Sequence, residues 1–443
     1  MRLILTTYVV AARFVGAAWH EREAEDSIIQ ALGGKLDSAA NIVLPGDGEF
    51  GERAKRWQAS EEDVQETIRF ASDHDMPFLA VSGTHGSTSA AATAKNMIQI
   101  SLRNLNTAEI SKDGSSVTVS GGIKSKKLID YLWTRGKQIV TGACECVGLA
   151  AVALGGGHGF LQGYYGLLSD QIISMRVVFA SGEAVTVSET MNVELFWAMR
   201  GTGHNFGVVT SMQYRIYNIP LGKEVWSWEA FTLPATSGNV RKCGLVLMNH
   251  AVSEAPLIMH NIAFNGPLAE ARQYTQAYHD LEGVVAASAE GTYLDVPRWM
   301  QIDDAGFVCR IRDFMPGVGV MRFPADVQAY NLTALVAAVE RFVEITMAGP
   351  EFAGSFMMLE QYASHAVMEA DSSKSVFANK RDKLLLAPAL AYRSVNEETG
   401  ERNEALDEKV RRYGEEMRQL LVDGAEGMGG SHSYVNMRTA ASL

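Results

Sequence analysis

The sequence predicts a two-domain α+β chain, and three observations carry that expectation. Its 443 residues are more than one hydrophobic core usually serves. Before Pro220, short strands and helices alternate with glycine-rich loops. After it, alternating apolar segments dominate, separated by long helical stretches, as in an antiparallel sheet with helices. The elements follow in order. Ser60 to Asp63 reads as a capping box, after which Val64, Ile68 and Ala71 share one helix face. Pro77 to Val81 is a short strand running into the first glycine loop. Ala108 to Val119 folds back as a hairpin at Lys112-Asp113-Gly114, and Leu128, Ile129 and Leu132 mark a helix. Gln138 to Val140 is a strand, Ile172 to Val187 a hairpin turning at Ser181-Gly182, Met191 to Met199 a helix and Val208 to Ile216 a strand. In the second half Val225 to Phe231, Leu257 to Phe264, Gly306 to Ile311, Phe356 to Glu360 and Leu384 to Tyr392 read as strands, with helices at Leu332 to Thr346 and Glu404 to Leu421.

Composition excludes several classes of function. A formal net charge of −12, with no basic block longer than Lys124 to Lys127, argues against nucleic acid or an anionic membrane as partner. No run approaches ~18 uninterrupted apolar residues, so no membrane span is expected. The four cysteines, Cys144, Cys146, Cys243 and Cys309, are too few for a disulfide scaffold at this length. Cys144 and Cys146 have no second pair of Cys or His at metal-ligand spacing, and no metal is expected. The N-terminus has the basic start and apolar run of a signal peptide, but Arg13 interrupts it and no clear cleavage site follows. Asn331-Leu332-Thr333 is a lone glycosylation triplet, and the compartment stays open between cytoplasmic and secreted.

Chemistry concentrates between Val81 and Thr210. Three glycine-rich stretches lie there: VSGTHGS (81 to 87), GACECVG with LGGGHG (142 to 159), and ELFWAMRGTGHNFGVVT (194 to 210). Glycine crowded around a few polar residues suits backbone N–H groups brought against a large ligand. The dinucleotide fingerprint fails, because Gly201-Thr202-Gly203 continues wrongly and LGGGHG lacks the flanking strand, helix and acidic residue. A phosphate-binding Gly-Lys-Ser/Thr is also absent from the sequence.

Together the three stretches resemble the berberine bridge enzyme-like FAD-linked oxidases, with their vanillyl-alcohol oxidase or PCMH-type FAD-binding domain. The likeness runs from about Ala39 to about Tyr217 and is loose beyond, through EQYASHAV (360 to 367), SVFANKR (375 to 381) and SHSYVNM (431 to 437). It implies an FAD-binding domain of two α/β subdomains over 25–219, a substrate domain with a helix-covered antiparallel sheet over 220–425, and a return segment over 426–443. Relatives continue past that segment through a further helix, so the return segment reads as truncated, and an expected strand between Trp57 and Ser60 reads as missing. The cofactor residues implied are Ser82, Gly83, Thr84, His85, Gly86, Ser87, Gly142, Cys144, Val147, Gly148, Gly157, Gly159 and Val209. Two of them, His85 and Cys144, would hold FAD bicovalently, through its 8α-methyl group and C6, because an imidazole and a thiolate add to the electrophilic ring. A loop histidine capping backbone and a small buried cysteine are the plainer readings. Val147 would admit O2 beside the flavin, or be a packing residue alone.

His158, Tyr434 and Asn436 are the catalytic candidates implied, the first two for proton transfer and Asn436 as a positioner. A structural His158 is an equal alternative, and Tyr434 as base needs a positive or hydrogen-bonding neighbour. Glu360 and Gln361 could enter the substrate site, although a solvent-facing Glu is commoner. Asp170 is expected to tighten a loop, His204 to be structural, and GTGHNFGVVT to lie near the adenine half of FAD. The implied reaction is oxidation of an alcohol, sugar or secondary-metabolite carbon, with small-molecule substrate and O2 as partners and hydrogen peroxide released. A flavin-bound cyclase without net oxidation, or a degenerate non-catalytic member, remains open.

Overall fold

The computed structural model describes residues 4–8, 32, 35, 41–43, 60–83, 85, 97–234, 245–248, 256–310, 317–329, 331–395 and 401–434. The first half holds two small sheets. Strands β1 (Ile4–Tyr8), β2 (Asn41–Val43), β3 (Phe78–Val81) and β4 (Met97–Ser101) form one, in the order β2-β1-β4-β3. Helix α1 (Glu61–Asp73) follows β2 and begins as its sequence dictates. The Asp63 amide donates to Ser60 Oγ at 3.1 Å, and the Ser60 amide donates back to Asp63 Oδ2 at 3.0 Å. Val64, Ile68 and Ala71 are fully buried, with Ile98 and Ile100 of β4 in the same core.

The second sheet takes β5 (Ala108–Ile110) and β6 (Ser116–Ser120). Helix α2 (Ser125–Trp133), β7 (Lys137–Gln138), α3 (Leu149–Leu154) and α4 (Gln162–Tyr165) come next, then β8 (Ile172–Val178) and β9 (Ala184–Ser188). After helix α5 (Val193–Thr202), strand β10 (Val208–Arg215) closes the sheet in the order β5-β6-β10-β8-β9, and β11 (Tyr217–Asn218) pairs with β7. Where a strand was expected at Gln138 to Val140, only β7 forms, and Ile139 and Val140 are buried ahead of the glycine loop. The two sheets are joined through Glu61. Its carboxylate accepts from Arg176 Nε at 3.2 Å and from Thr210 Oγ1 at 2.6 Å, and the Arg176 contact above all holds its pKa down.

The second half is one sheet. It comprises β12 (Val225–Pro234), β13 (Leu245–Leu247), β14 (Leu257–Phe264), β15 (Val285–Thr292), β16 (Gly319–Arg322), β17 (Asp326–Val327), β18 (Phe356–Gln361), β19 (Leu384–Tyr392) and β20 (Ser431–His432). Its order is β15-β12-β14-β13-β18-β19-β17-β20, with β16 also on β19, and every pairing is antiparallel. Helices α6 (Leu268–His279), α7 (Val296–Trp299), α8 (Leu332–Ala348), α9 (His365–Glu369) and α10 (Glu404–Ala425) connect the strands. Along β18, Met357 and Leu359 are buried in the core shared with Leu335, Phe342 and Met417 of α8 and α10. Period-two alternation puts Phe356, Met358 and Glu360 on the opposite face.

Two expectations change here. Gly306 to Arg310 are turns, not strand: Gly306 N–H donates to Asp303 O at 2.9 Å and Arg310 N–H to Gly306 O at 3.1 Å, so their amides are spent locally. Ile311 lies outside the described residues, as does the stretch between Trp57 and Ser60. Asn331 is not a free glycosylation acceptor in the fold, since its Oδ1 caps α8 at Ala334 N and its Nδ2 donates to Gly424 O at 3.0 Å. No helix among the described residues is long and apolar enough to cross a membrane.

Candidate active site

The glycine loops meet one another before they can meet a ligand. A Cβ on Gly83 would stand 2.6 Å from Gly148 N, and one on Gly148 would stand 1.8 Å from Ser82 Oγ. A Cβ on Gly159 would be 1.9 Å from the Thr141 carbonyl. These glycines let the first and second loops, which carry His85 and Cys144, lie backbone to backbone. Gly142 leaves room beside Val152, Gly157 (φ +84°) abuts Leu168, and Val209 is buried in β10. Thr84, Gly86, Ser87 and Asn436 lie outside the described residues.

Cys144, His158, Glu360 and Tyr362 lie deep in the molecule yet keep part of their surface accessible, so they line a recess between the two halves. Val147 is likewise half-buried. Burial pushes the Cys144 thiol up to about 12, helped by the Glu360 charge and opposed by the Arg322 guanidinium. Burial likewise raises Glu360, whose carboxyl accepts from Tyr362 Oη at 3.0 Å. The commoner solvent-facing reading of Glu360 is therefore corrected: β18 turns it inward. Gln361, next along the strand, is exposed.

Aromatic rings wall the recess. The His158 ring meets Tyr434 edge-on at 4.9 Å and Phe377 at 5.9 Å, and stacks with Tyr362 at 6.1 Å; Phe160 lies 6.2 Å from Tyr362. Burial pushes His158 down to about 4, so its imidazole is neutral at ordinary pH. Its tautomer follows from Gln162. The Oε1 of Gln162 accepts the Gly159 N–H at 3.2 Å and faces His158 Nδ1 at 3.0 Å. Nδ1 must therefore carry the proton, and Nε2 the lone pair.

Tyr434 arrives from the far end of the chain. Its hydroxyl accepts the Gly157 N–H at 3.2 Å, and its ring is buried with Leu167, Val367 and Phe377. The tail that carries it is fastened by Asp326, which accepts the Tyr434 N–H at 2.5 Å, and by the pairing of β17 with β20. Beside them, His432 Nδ1 lies 3.0 Å from Asp382 Oδ2. Burial drives the Asp326 carboxyl up to about 8, and its Oδ1 has no hydrogen-bond partner among the described residues. In the unfolded chain the same group ionises near ~3.9. Between these values the folded protein holds a proton the unfolded chain has released, so this contribution to stability is full below the unfolded value and declines until pH passes about 8. Asp326→Asn should consequently raise the melting temperature at pH 9 relative to wild type and change it little at pH 4, as differential scanning fluorimetry would register.

Other residues fall where their types suggest. Asp170 Oδ2 accepts the Leu167 N–H at 3.0 Å, tightening the loop after α4, and His204 Nε2 lies 2.8 Å from the Ala151 carbonyl, a structural contact. The 194–210 stretch touches the recess through Gly201 (φ +148°), against which Phe377 sits. Sequence reasoning had not singled out Tyr362, Phe377 or Arg322 as wall residues. EQYASHAV and SVFANKR held the first two, but nothing in the sequence marked Arg322 on β16. A disulfide joins Cys146 to Cys309, with Cα atoms 5.9 Å apart, leaving Cys144 as the free cysteine of its loop.

Cys144 and His158 of the first half thus face Glu360 and Tyr362 of the second, beside glycine loops packed backbone to backbone. Residues 56–188 match the family described as FAD binding domain. The FAD-linked oxidoreductase chyH of Penicillium rubens is 32% identical over 446 residues, spanning 93% of this chain and 86% of that protein. Among solved structures, the xylooligosaccharide oxidase of Myceliophthora thermophila superposes with a TM-score of 0.72 at 18% identity, over 94% of this chain and 91% of that one. Glucooligosaccharide oxidase from Acremonium strictum, described with a 6-S-cysteinyl, 8α-N1-histidyl FAD, gives 0.64 at 17% identity over 85% and 81%. The chain belongs to the FAD-linked oxidoreductases, and its fold is that of the PCMH-type FAD oxidases.

Proposed function

We propose that this chain oxidises a planar aromatic small molecule in the recess, with FAD held covalently by His85 and Cys144 and the substrate proton taken by Tyr434. The division proposed lies near residue 220; the first half's sheet also takes in β1 (Ile4–Tyr8), ahead of the expected start at 25, and 426–434 brings Tyr434 back to Gly157. The observation that carries the reading is the Tyr434 hydroxyl accepting the Gly157 N–H inside an aromatic wall. A phenol oxygen that already accepts one backbone N–H is better able to bear negative charge. Bound at these residues, FAD supplies the two-electron acceptor, with O2 taking the electrons on and leaving as hydrogen peroxide.

The residues present suit that group. The 8α-methyl group and C6 of a flavin lie on the same benzenoid ring, on either side of C7, so both nucleophiles must reach that ring. His85 and Cys144 belong to the two loops that Gly83 and Gly148 bring together. The thiol needs help to ionise, and Arg322 is the cation whose charge favours the thiolate. Phe160 and Tyr362, both half-buried, offer flat apolar faces suited to stacking an aromatic ring, while Phe377 and Tyr434 are buried beside His158. Glu360, fixed by Tyr362, places a carboxyl where a substrate hydroxyl or amine can bond. His158 Nε2 offers a lone pair beside Tyr434. Val147, half-buried three residues after Cys144, is the residue that would border the approach of O2.

Purified protein should be yellow, stay yellow after acid precipitation and carry the mass of one FAD. His85→Ala and Cys144→Ala should each keep one linkage, and the double variant should release all FAD into acid. A colourless pellet from wild type would sink the covalent assignment. Substrate turnover without hydrogen peroxide would favour the cyclase reading instead.

A further inference from the structure

The turns at 301–310, which take in most of the strand expected from Gly306 to Ile311, belong to the substrate half but lie over both residues proposed to attach the cofactor. Three contacts put them there. Cys309 is joined to Cys146, two residues from Cys144. Ile302 O accepts the Glu145 N–H at 3.1 Å, on the residue between those cysteines. His85 Nε2 lies 3.3 Å from Val308 O. The segment is stiff in itself. Gln301 sits at φ +59°, the Ile302 N–H donates to Pro297 O at 2.9 Å, and a Cβ on Gly306 would meet Gln301 O at 2.4 Å. Glu145 is held from the other side, its carbonyl accepting the Lys126 N–H at 3.0 Å and its carboxylate lying 3.4 Å from Lys126 Nζ.

From this arrangement we infer that residues 301–310, locked by the Cys146–Cys309 disulfide, are a strap that positions His85 and Cys144 for flavin attachment and makes that attachment depend on an oxidising environment. The inference rests on the proposed roles of His85 and Cys144. The strap acts on each residue differently. A carbonyl can only accept, so the contact with Val308 O requires the proton on His85 Nε2. That places the ring's lone pair on Nδ1, the nitrogen that attacks. For Cys144, the disulfide and the Glu145–Ile302 bond fix the backbone on the C-terminal side of the thiol. They also reserve Cys146, so the neighbouring thiol cannot compete for the flavin or for Cys144 itself.

Forming the strap removes two hydrogens from the Cys146 and Cys309 thiols and reduces one molecule of glutathione disulfide to two of glutathione. Each attachment replaces one flavin C–H bond by a bond to nitrogen or sulfur, and the two hydrogens lost leave on O2 as hydrogen peroxide.

The test needs no variant at first. The wild-type chain is produced in a reducing and in an oxidising cytosol, then mapped without reduction by peptide mass. In the oxidising host, a linked Cys146–Cys309 peptide pair and flavin on both His85 and Cys144 are expected. In the reducing host, the doubly attached fraction should fall by about tenfold while circular dichroism stays native, because the strap is open. Cys309→Ser and Cys146→Ser, made in the oxidising host, should reproduce that fall. They should also let iodoacetamide label Cys144 in flavin-free protein about tenfold faster, reporting the loosened cover without reference to the cofactor. Equal double attachment in both hosts and in both variants would overturn the strap while leaving the attachment residues standing. Wild type that releases all its FAD into acid would overturn the attachment reading, and the strap's role in it; the Cys144 labelling rate then reports only whether the cover exists.

Discussion

Tyr434→Phe is expected to lower the rate of substrate oxidation by about 10²- to 10⁴-fold, the range over which a positioned proton acceptor contributes. The substitution removes one oxygen from a ring buried against Leu167, Val367 and Phe377, so the walls of the recess stay in place. What disappears is the acceptor of the Gly157 N–H and the group nearest His158 that can exchange a proton. The orphaned amide adds a stability cost of about 1–3 kcal/mol, since a buried donor loses its partner. Flavin content should not change, because the strap and the paired glycine loops hold His85 and Cys144 independently of the tail. Anaerobic stopped-flow reduction separates the effects. A fall in the limiting rate, with substrate affinity within about threefold of wild type, assigns Tyr434 to the chemical step. An unchanged limiting rate would remove Tyr434 from that role and turn attention to Nε2 of His158. Since burial holds His158 near pH 4, its titration should leave no step in the rate between pH 5 and 8.

Legibility in the sequence followed the range of each interaction. The Ser60–Asp63 box and the spacing of Val64, Ile68 and Ala71 act within two helical turns, and α1 formed as read. The alternation of Phe356 to Gln361 is also local. It fixed which residues share a face, but only the helices on the Met357 side decide that Glu360 looks into the recess. The glycines marked the right region for an incomplete reason. Gly83 and Gly148 are small because their loops touch each other, and Gly156 (φ +107°) because Phe377 stands against it. Cys146 and Cys309 are separated by 163 positions, and spacing alone carries no signal for such a pair. The same blindness produced the false strand at Gly306 to Ile311. An apolar alternation reads as strand, yet the segment spends its amides on turns and its cysteine on a distant loop.

Lys380→Met should be among the most destabilising single substitutions, by about 3–5 kcal/mol, because it strands a charge rather than removing one. Lys380 Nζ lies 3.0 Å from Asp170 Oδ1, and the two side chains are only 6% and 15% exposed. Asp170 belongs to the loop after α4 in the flavin half, where its other oxygen accepts the Leu167 N–H and its carbonyl accepts from Arg215. Lys380 belongs to SVFANKR in the substrate half, three residues after Phe377. The pair therefore clamps the two halves beside Tyr434, since Leu167 and Phe377 both touch that ring's cluster. A carboxylate left there keeps one backbone donor and the charge of Arg200, but no hydrogen-bonded cation. Asp170→Asn in the Lys380→Met background removes the stranded charge and keeps an acceptor for Leu167 N–H. It should recover about half of the loss, giving a coupling of about 2 kcal/mol in a double-mutant cycle followed by urea unfolding. A Lys380→Met cost below about 1 kcal/mol would class the pair with exposed ion pairs. The halves would then be held by their other contacts: the packing of Trp226, Tyr293 and Val296 into the first half's core, the Val376 N–H donated to Trp197 O, and the Cys146–Cys309 link.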